Sequence, residues 1–262
     1  MNRTIRVLYV DDESASHEVT KLFLERSGDL TVEAAHSARE AMQRMASSHY
    51  DVIISDYQMP DIDGLQYLRM VREKDPDIPF ILFTGRGREE VVIEACNAGV
   101  TSYVQKGIDI DAQFTELEHR VKQAAARLAA EEELRTKKLQ ANMAMDLARI
   151  ASWEYDPWKG LYKFDDIFYD LYGTDARQEG GYLLSPERYL QGFVHPDDHE
   201  YVSQMILKGF NGNSPEGQLQ IRHRMVRRDG EIRAMLVRAE MMIDANGNLL
   251  KIIGVSQDIT ER

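Results

Sequence analysis

IRVLYVDDE, residues 5–13, is an apolar run broken once by Arg6 and closed by three acids. A run this short reads as a strand buried on both faces, with a charge cluster at its carboxyl end. Four further apolar runs follow at 30–35, 52–55, 80–83 and 101–105. Between them lie stretches with apolar residues at three- and four-residue spacing: 14–27, 38–47, the segment around Leu65, Leu68 and Val71 that stops before Asp75 and Pro76, and 89–98, closed by Gly99. Those spacings predict helices. Strands that alternate with helices predict an α/β doubly wound sheet of five parallel strands, covered on both faces, over residues 1–110.

The texture changes twice beyond that point. Residues 111–150 hold no proline and no glycine before Ile150, and Ala, Leu, Glu, Lys, Arg and Gln dominate. These are strong helix formers, so a long connecting helix is expected. Phe114, Leu117, Val121, Ala124 and Leu128 keep a three-four spacing, which admits a two-stranded coiled coil as well as a plain linker. From 151 to 262 both tryptophans, short alternating runs and the turn dipeptides Asp229-Gly230 and Asn246-Gly247 indicate a small antiparallel sheet with helices, an α+β domain.

Composition narrows the function. The 44 acids against 32 bases give a formal net charge of −12, which disfavours nucleic-acid binding. Cys96 is the single cysteine, so neither a disulfide framework nor a multi-thiolate zinc site is available. No apolar stretch is long enough to span a bilayer, and the start does not read as a signal peptide, so a cytoplasmic location without membrane attachment is expected.

The chemistry gathers at the carboxyl edge of the first sheet. Asp11 and Asp12 end the first strand, Asp56 the third, Thr84 the fourth and Lys106 the fifth. That edge is where ligands bind in doubly wound sheets. Clustered carboxylates repel unless compensated, and a hard dication such as Mg²⁺ compensates them while keeping several waters. A carboxylate nucleophile, a dication, a lysine and a hydroxyl donor together suit phosphoryl transfer.

The strings VLYVDDE at 7–13, IISDYQMPDIDG at 53–64, Thr84 after ILF, and TSYVQK at 101–106 resemble the flavodoxin-like receiver domain of two-component response regulators. The resemblance implies that Asp56 is the phosphoacceptor. It implies a Mg²⁺ site of Asp11, Asp12, Asp56 and the backbone carbonyl of Gln58. Thr84 and Lys106 would sense the phosphoryl group, Tyr103 would be an aromatic switch, and Gln58 and Arg86 would tune the lifetime of the phosphorylated form. The phosphodonor would be a histidine kinase. Two positions depart from the family pattern: Gly107 replaces the usual proline after the lysine, and Gly85 follows Thr84 where alanine is frequent. Both are expected to loosen the backbone. Asp61–Gly64 (DIDG) reads as a turn and helix cap rather than a calcium loop, because no glutamate stands at the twelfth loop position.

In the second half, WEYD at 153–156, VHPDD at 194–198, Arg228-Asp229-Gly230 and GVSQDIT at 254–260 resemble a PAS sensor domain, which implies a five-stranded sheet cupped around a small cavity. The sequence names no ligand for it. The blue-light flavin chemistry needs a cysteine that is absent after Cys96, and His199 or His223 would be the residues to hold haem. His223 shares a strand face with Leu219, Ile221 and Met225 and reads first as a hydrogen-bonded core residue. Arg222, Arg224, Arg227 and Arg228 form a basic stripe that reads as a solvated face.

The expected function is phosphorylation-dependent signalling without a kinase module in this chain, and at most slow self-dephosphorylation. A homodimer through the fourth and fifth receiver helices or the linker is expected. The terminal DITER suggests the N-terminal part of a longer protein such as a hybrid histidine kinase. Two other readings remain: a receiver-like dimerisation platform that takes no phosphate, and a haloacid-dehalogenase-like phosphatase. The latter wants an acid two residues after the nucleophile, where Gln58 stands.

Overall fold

The apolar runs of the first half form β1 (Ile5–Val10), β2 (Leu30–Ala35), β3 (Val52–Ser55), β4 (Phe80–Thr84) and β5 (Ser102–Gln105), all parallel, in the order β2-β1-β3-β4-β5. The helices between them are α1 (Ser14–Leu24), α2 (Ala38–Ser47), α3 (Gly64–Lys74), α4 (Glu89–Asn97) and α5 (Ile110–Ala148). The computed structural model describes residues 3–85, 89–210 and 218–260. Contacts divide the chain into two units, Met1–Thr136 and Lys137–Arg262.

Alternation along the strands sorts the first unit into two apolar layers. Leu8, Val10, Ile53 and Leu82 pack with Ala41 and Met42 of α2 and Tyr67, Leu68 and Val71 of α3. Val7, Tyr9, Val52, Ile54, Ile81 and Phe83 pack on the other face with Leu24 of α1 and Phe114, Leu117 and Val121 of α5. Local signals set the helix starts. Ser37 caps α2 by accepting from the Glu40 N–H, and Asp63 and Gln66 form a reciprocal capping box at α3, as the turn-and-cap reading required. Strand β1 has β2 on one side and β3 on the other, so the switch point of the winding lies between β1 and β3.

The proline- and glycine-free stretch is one helix, α5. Its first turns bury Phe114, Leu117, Val121, Ala124 and Ala125, and farther along Leu134, Leu139, Met143 and Leu147 are exposed.

The second unit holds β6 (Ile150–Asp156), β7 (Leu161–Phe164), β8 (Leu183–Leu184), β9 (Gln218–Val226), β10 (Ile232–Ile243) and β11 (Leu249–Asp258), with α6 (Asp166–Leu171), α7 (Pro186–Phe193) and α8 (His199–Phe210). The sheet is antiparallel, in the order β8-β7-β6-β11-β10-β9. It has six strands where five were expected, because the two-residue β8 adds an edge beside β7. The hairpin turns fall where the Asp-Gly and Asn-Gly dipeptides placed them, with Gly230 and Gly247 at φ +87° and +83°. The interior is aromatic: Tyr155, Tyr162, Phe164, Phe168, Tyr172, Tyr189 and Phe193 are all buried.

Candidate functional site

Main-chain hydrogen bonds gather the sheet's carboxyl edge. The Asp56 N–H donates to the Val10 carbonyl at 2.8 Å, and the Lys106 N–H donates to the Thr84 carbonyl at 2.9 Å. Asp11, Asp56 and Thr84 are buried. Lys106 reaches across them, its Nζ 2.9 Å from Asp11 Oδ2 and 3.0 Å from Asp56 Oδ1, above the Phe83 ring at 5.4 Å.

The two carboxylates differ electrostatically. Burial pushes the pKa of Asp11 up, but hydrogen bonds from Tyr9, the Glu13 N–H and Lys106 outweigh it and hold Asp11 below the ordinary value. At Asp56 burial wins. Its pKa lies above the ordinary value although Lys106 and the Gln58 N–H pull it down. Burial acts to lower the pKa of Lys106, but Asp11 and Asp56 reverse it, so the ammonium form is favoured.

The expected metal set is not drawn together. Lys106 sits between Asp11 and Asp56, and Asp12 is exposed. Gln58 is exposed and engages Asp56 through its N–H, at 2.9 Å, and not through its carbonyl. Among the described residues no three His, Cys, Asp or Glu side chains are grouped closely enough to hold a metal ion. The donor chemistry nevertheless fits a hard cation, since an ammonium bridges two carboxylates at the switch point.

Tyr103 is half-buried against the layer that holds Ala95 and Leu82, and its hydroxyl is buried without a hydrogen-bond partner among the described residues. Arg86 lies outside the described residues. Gly107 makes one contact that a proline could not. Its N–H, which a proline would lack, donates to Gln113 Oε1 of α5 at 2.8 Å. Among the described residues a Cβ at Gly85 would meet only Lys106 Cβ, at 3.9 Å, so alanine would fit beside them.

Four residues at the site were not singled out from the sequence. Tyr9 donates to Asp11 Oδ2 at 2.7 Å, Ser16 donates to the same oxygen at 2.9 Å, and His17 Nε2 donates to the Asp11 carbonyl. Burial and the Asp11 charge push the Tyr9 phenol far up, so it stays a donor. A tyrosine two residues before an acid, amid the aliphatic residues Val7, Leu8 and Val10, was the available signal. Gly64 is the fourth. A Cβ there would collide with the Asp56 carbonyl oxygen and come within 2.9 Å of Tyr57 Cα.

In the second unit an internal cavity of about 40 Å³ is lined by Trp153, Tyr162, Tyr189, Ile221, His223 and Val237 among others. His223 does face inward, as strand alternation predicted. Its Nε2 hydrogen-bonds the Tyr189 hydroxyl at 3.2 Å, and its Nδ1 is buried without a partner among the described residues. Desolvation lowers its pKa to about 4, so the ring is neutral. His199 donates to the Val194 carbonyl at 3.0 Å. A cavity this small does not fit a haem.

Of the basic stripe Arg222 is exposed, but the other three arginines are not merely solvated. Arg224 grips Asp198, whose carboxyl is held down to about 2 by that pairing. Arg228 forks onto the buried Glu179, and Arg227 donates to the Leu171 carbonyl. These are long-range braces. His195 caps the short 3-10 turn Pro196–Asp198, in keeping with a helix start at that string.

Comparison with known proteins agrees with this architecture. The family model described as response regulator receiver domain matches residues 7–140, and the PAS fold model matches 164–256. The chain is 35% identical over 132 residues to response regulator Rre1 of Synechocystis sp., covering 50% of this chain and 55% of that protein. It is 36% identical over 107 residues to the transcriptional regulatory protein TrcR of Mycobacterium tuberculosis, covering 41% of each. The chain thus spans about half the length of the curated relatives it matches. Among solved structures it is similar to the receiver domain of Francisella response regulator 1452, at 29% identity and TM-score 0.43, covering 47% of this chain and 98% of that one. No helix among the described residues is long and apolar enough to cross a membrane.

Proposed function

Because the chain belongs to the response regulator receiver family, we propose that it works in phosphorelay signalling with Asp56 as the phosphoacceptor and a histidine kinase as donor. The observation that carries this reading is Lys106 held between Asp11 and Asp56 at the switch point. An Asp56 carboxylate oxygen attacks phosphorus, the bond from phosphorus to the donor breaks, and an acyl phosphate forms. The raised pKa of Asp56 marks burial of the charge, and Lys106 keeps the carboxylate ionised for attack and then faces the transferred group. The Thr84 hydroxyl donates to a phosphoryl oxygen, and Tyr103 follows Thr84. The unpaired Tyr103 hydroxyl supports that role, because a new position that pairs it would be favoured. Gln58 and Arg86 tune the lifetime of the acyl phosphate. Asp11, Asp12, Asp56 and the Gln58 carbonyl would hold Mg²⁺. Bound there, the ion would offset negative charge on the moving phosphoryl group.

The second unit acts as the sensory partner of the receiver. A cytoplasmic homodimer completes the reading, supported by Leu139, Met143 and Leu147, which stand exposed at four-residue intervals on α5. No observation favours the phosphate-free platform, and Gln58 in place of an acid argues against the phosphatase.

The test is intact mass after incubation with acetyl phosphate. A phosphoryl adduct that requires Mg²⁺ and is lost in Asp56→Asn is the expected result. An equal adduct in Asp56→Asn, or none in the wild type with either acetyl phosphate or a phosphorylated kinase, defeats the reading.

A further inference from the structure

Resting on the receiver reading above, we propose that Tyr9 and Ser16 are positioning residues: their hydroxyls lock the Asp11 carboxylate for a divalent cation. An ionised carboxylate offers about four lone-pair sites. Asp11 Oδ1 accepts one donor, the Glu13 N–H at 2.9 Å. Oδ2 lies within reach of three: the Tyr9 hydroxyl at 2.7 Å, Ser16 Oγ at 2.9 Å and Lys106 Nζ at 2.9 Å. Oδ2 is therefore fully subscribed, and Oδ1 keeps the remaining lone pair.

The three donors on Oδ2 are not alike. Tyr9 is wholly buried in β1, on the face packed against Leu24 and Phe114, so its ring holds the hydroxyl oxygen in place. Its oxygen lies 2.7 Å from Ser16 Oγ, in the first turn of α1. Two hydroxyl protons serve the contacts among Tyr9, Ser16 and Asp11, so at least one always falls on the carboxylate. The next residue, His17, is buried and donates to the Asp11 carbonyl, which pins the main chain. Lys106 differs in having a flexible stem and a second carboxylate partner, Asp56. The free lone pair of Oδ1 is thus the one that would face a cation, and the ammonium can yield Oδ2 to remain with Asp56 while both hydroxyls stay in place. Rotation of the carboxylate would break both hydroxyl contacts, so its orientation is fixed before the cation arrives. Partners that orient a ligating group in this way typically account for 10- to 100-fold in metal affinity.

The experiment uses the full chain and three variants: Tyr9→Phe, Ser16→Ala and the double variant. Calorimetric titration gives the Mg²⁺ dissociation constant with no phosphodonor present. Adduct formation from acetyl phosphate is then followed across Mg²⁺ concentrations. Tyr9→Phe is expected to weaken Mg²⁺ binding about tenfold and the double variant more, with the rate at saturating Mg²⁺ within about twofold of wild type. Ser16 lies nearer the surface, so Ser16→Ala carries the test if Tyr9→Phe folds poorly. Unchanged or tighter Mg²⁺ binding in the folded variants overturns the proposal, as does a lost maximal rate with unchanged affinity. A wild-type chain that neither binds Mg²⁺ nor forms an adduct defeats the receiver reading itself, and this inference with it.

Discussion

Asp11, in the first unit, accepts from four donors, whereas His223, in the second, has one bonded nitrogen and one bare. Asp11 keeps its charge inside the fold because strand, helix and lysine all supply hydrogens to it. His223 gives up its charge, because the tyrosines, aliphatic side chains and tryptophan around it offer little to a cation. The first unit thus carries a costly polar site at its sheet edge, and the second gathers its aromatic side chains into one packed interior. Active chemistry and mechanical stability should therefore respond differently to substitution in the two units.

Phe168→Ala should show the largest effect. Phe168 is fully buried and stacks on Phe164 at 3.7 Å between centroids, so its loss should cost about 3–5 kcal/mol. Both tryptophans lie in the second unit, so tryptophan fluorescence during urea unfolding of the full chain reports that unit. A cost under about 1 kcal/mol would break the claim that aromatic packing carries it.

Next comes pH. The His223 pKa falls from 6.5 to about 4 on folding, so the unfolded chain takes up the proton first. Its contribution to stability is complete above about pH 6.5 and drains as pH falls toward 4, by roughly 3 kcal/mol at most. Acid titration common to both proteins cancels between wild type and His223→Leu. The wild type should therefore lose more stability between pH 7 and 4.5 than the variant. Equal losses would show that the ring is not held neutral by its surroundings.

The smallest expected effect has the opposite sign. Burial raises the Asp56 pKa, so the ionised carboxylate opposes folding at neutral pH, and Asp56→Asn removes that cost while Lys106 retains Asp11. Calorimetric unfolding should show a gain on the order of 1 kcal/mol. A clear loss instead would mean that the Lys106–Asp56 pair stabilises the fold more than burial of the carboxylate weakens it.

Much of this was legible in the sequence. Strands β1 to β5 were visible as short apolar runs, and Asp11, Asp56, Thr84 and Lys106 could be placed because a doubly wound sheet puts every strand's carboxyl end on one edge. The cap within Asp61–Gly64 was readable because capping is local. What escaped needed contacts across the chain. Arg228 finds Glu179 49 residues away, and Arg224 finds Asp198 26 residues away, so no local pattern separates a brace from a solvated stripe. Tyr9 read as core because it is core; only its hydroxyl belongs to the site. The closed state of the carboxylates, with Lys106 between them and Asp12 outside, depends on side-chain rotamers that no spacing rule specifies.

Gly64 invites a reading in terms of heredity. It bears no group that could touch phosphate, yet its α-carbon lies so close to the Asp56 carbonyl that any side chain would intrude. Every missense change in its codon adds a β-carbon, so none is mild. A mutational scan scored on signalling would rank this position beside Asp56, and a reader of that scan would mistake a spatial allowance for a chemical role.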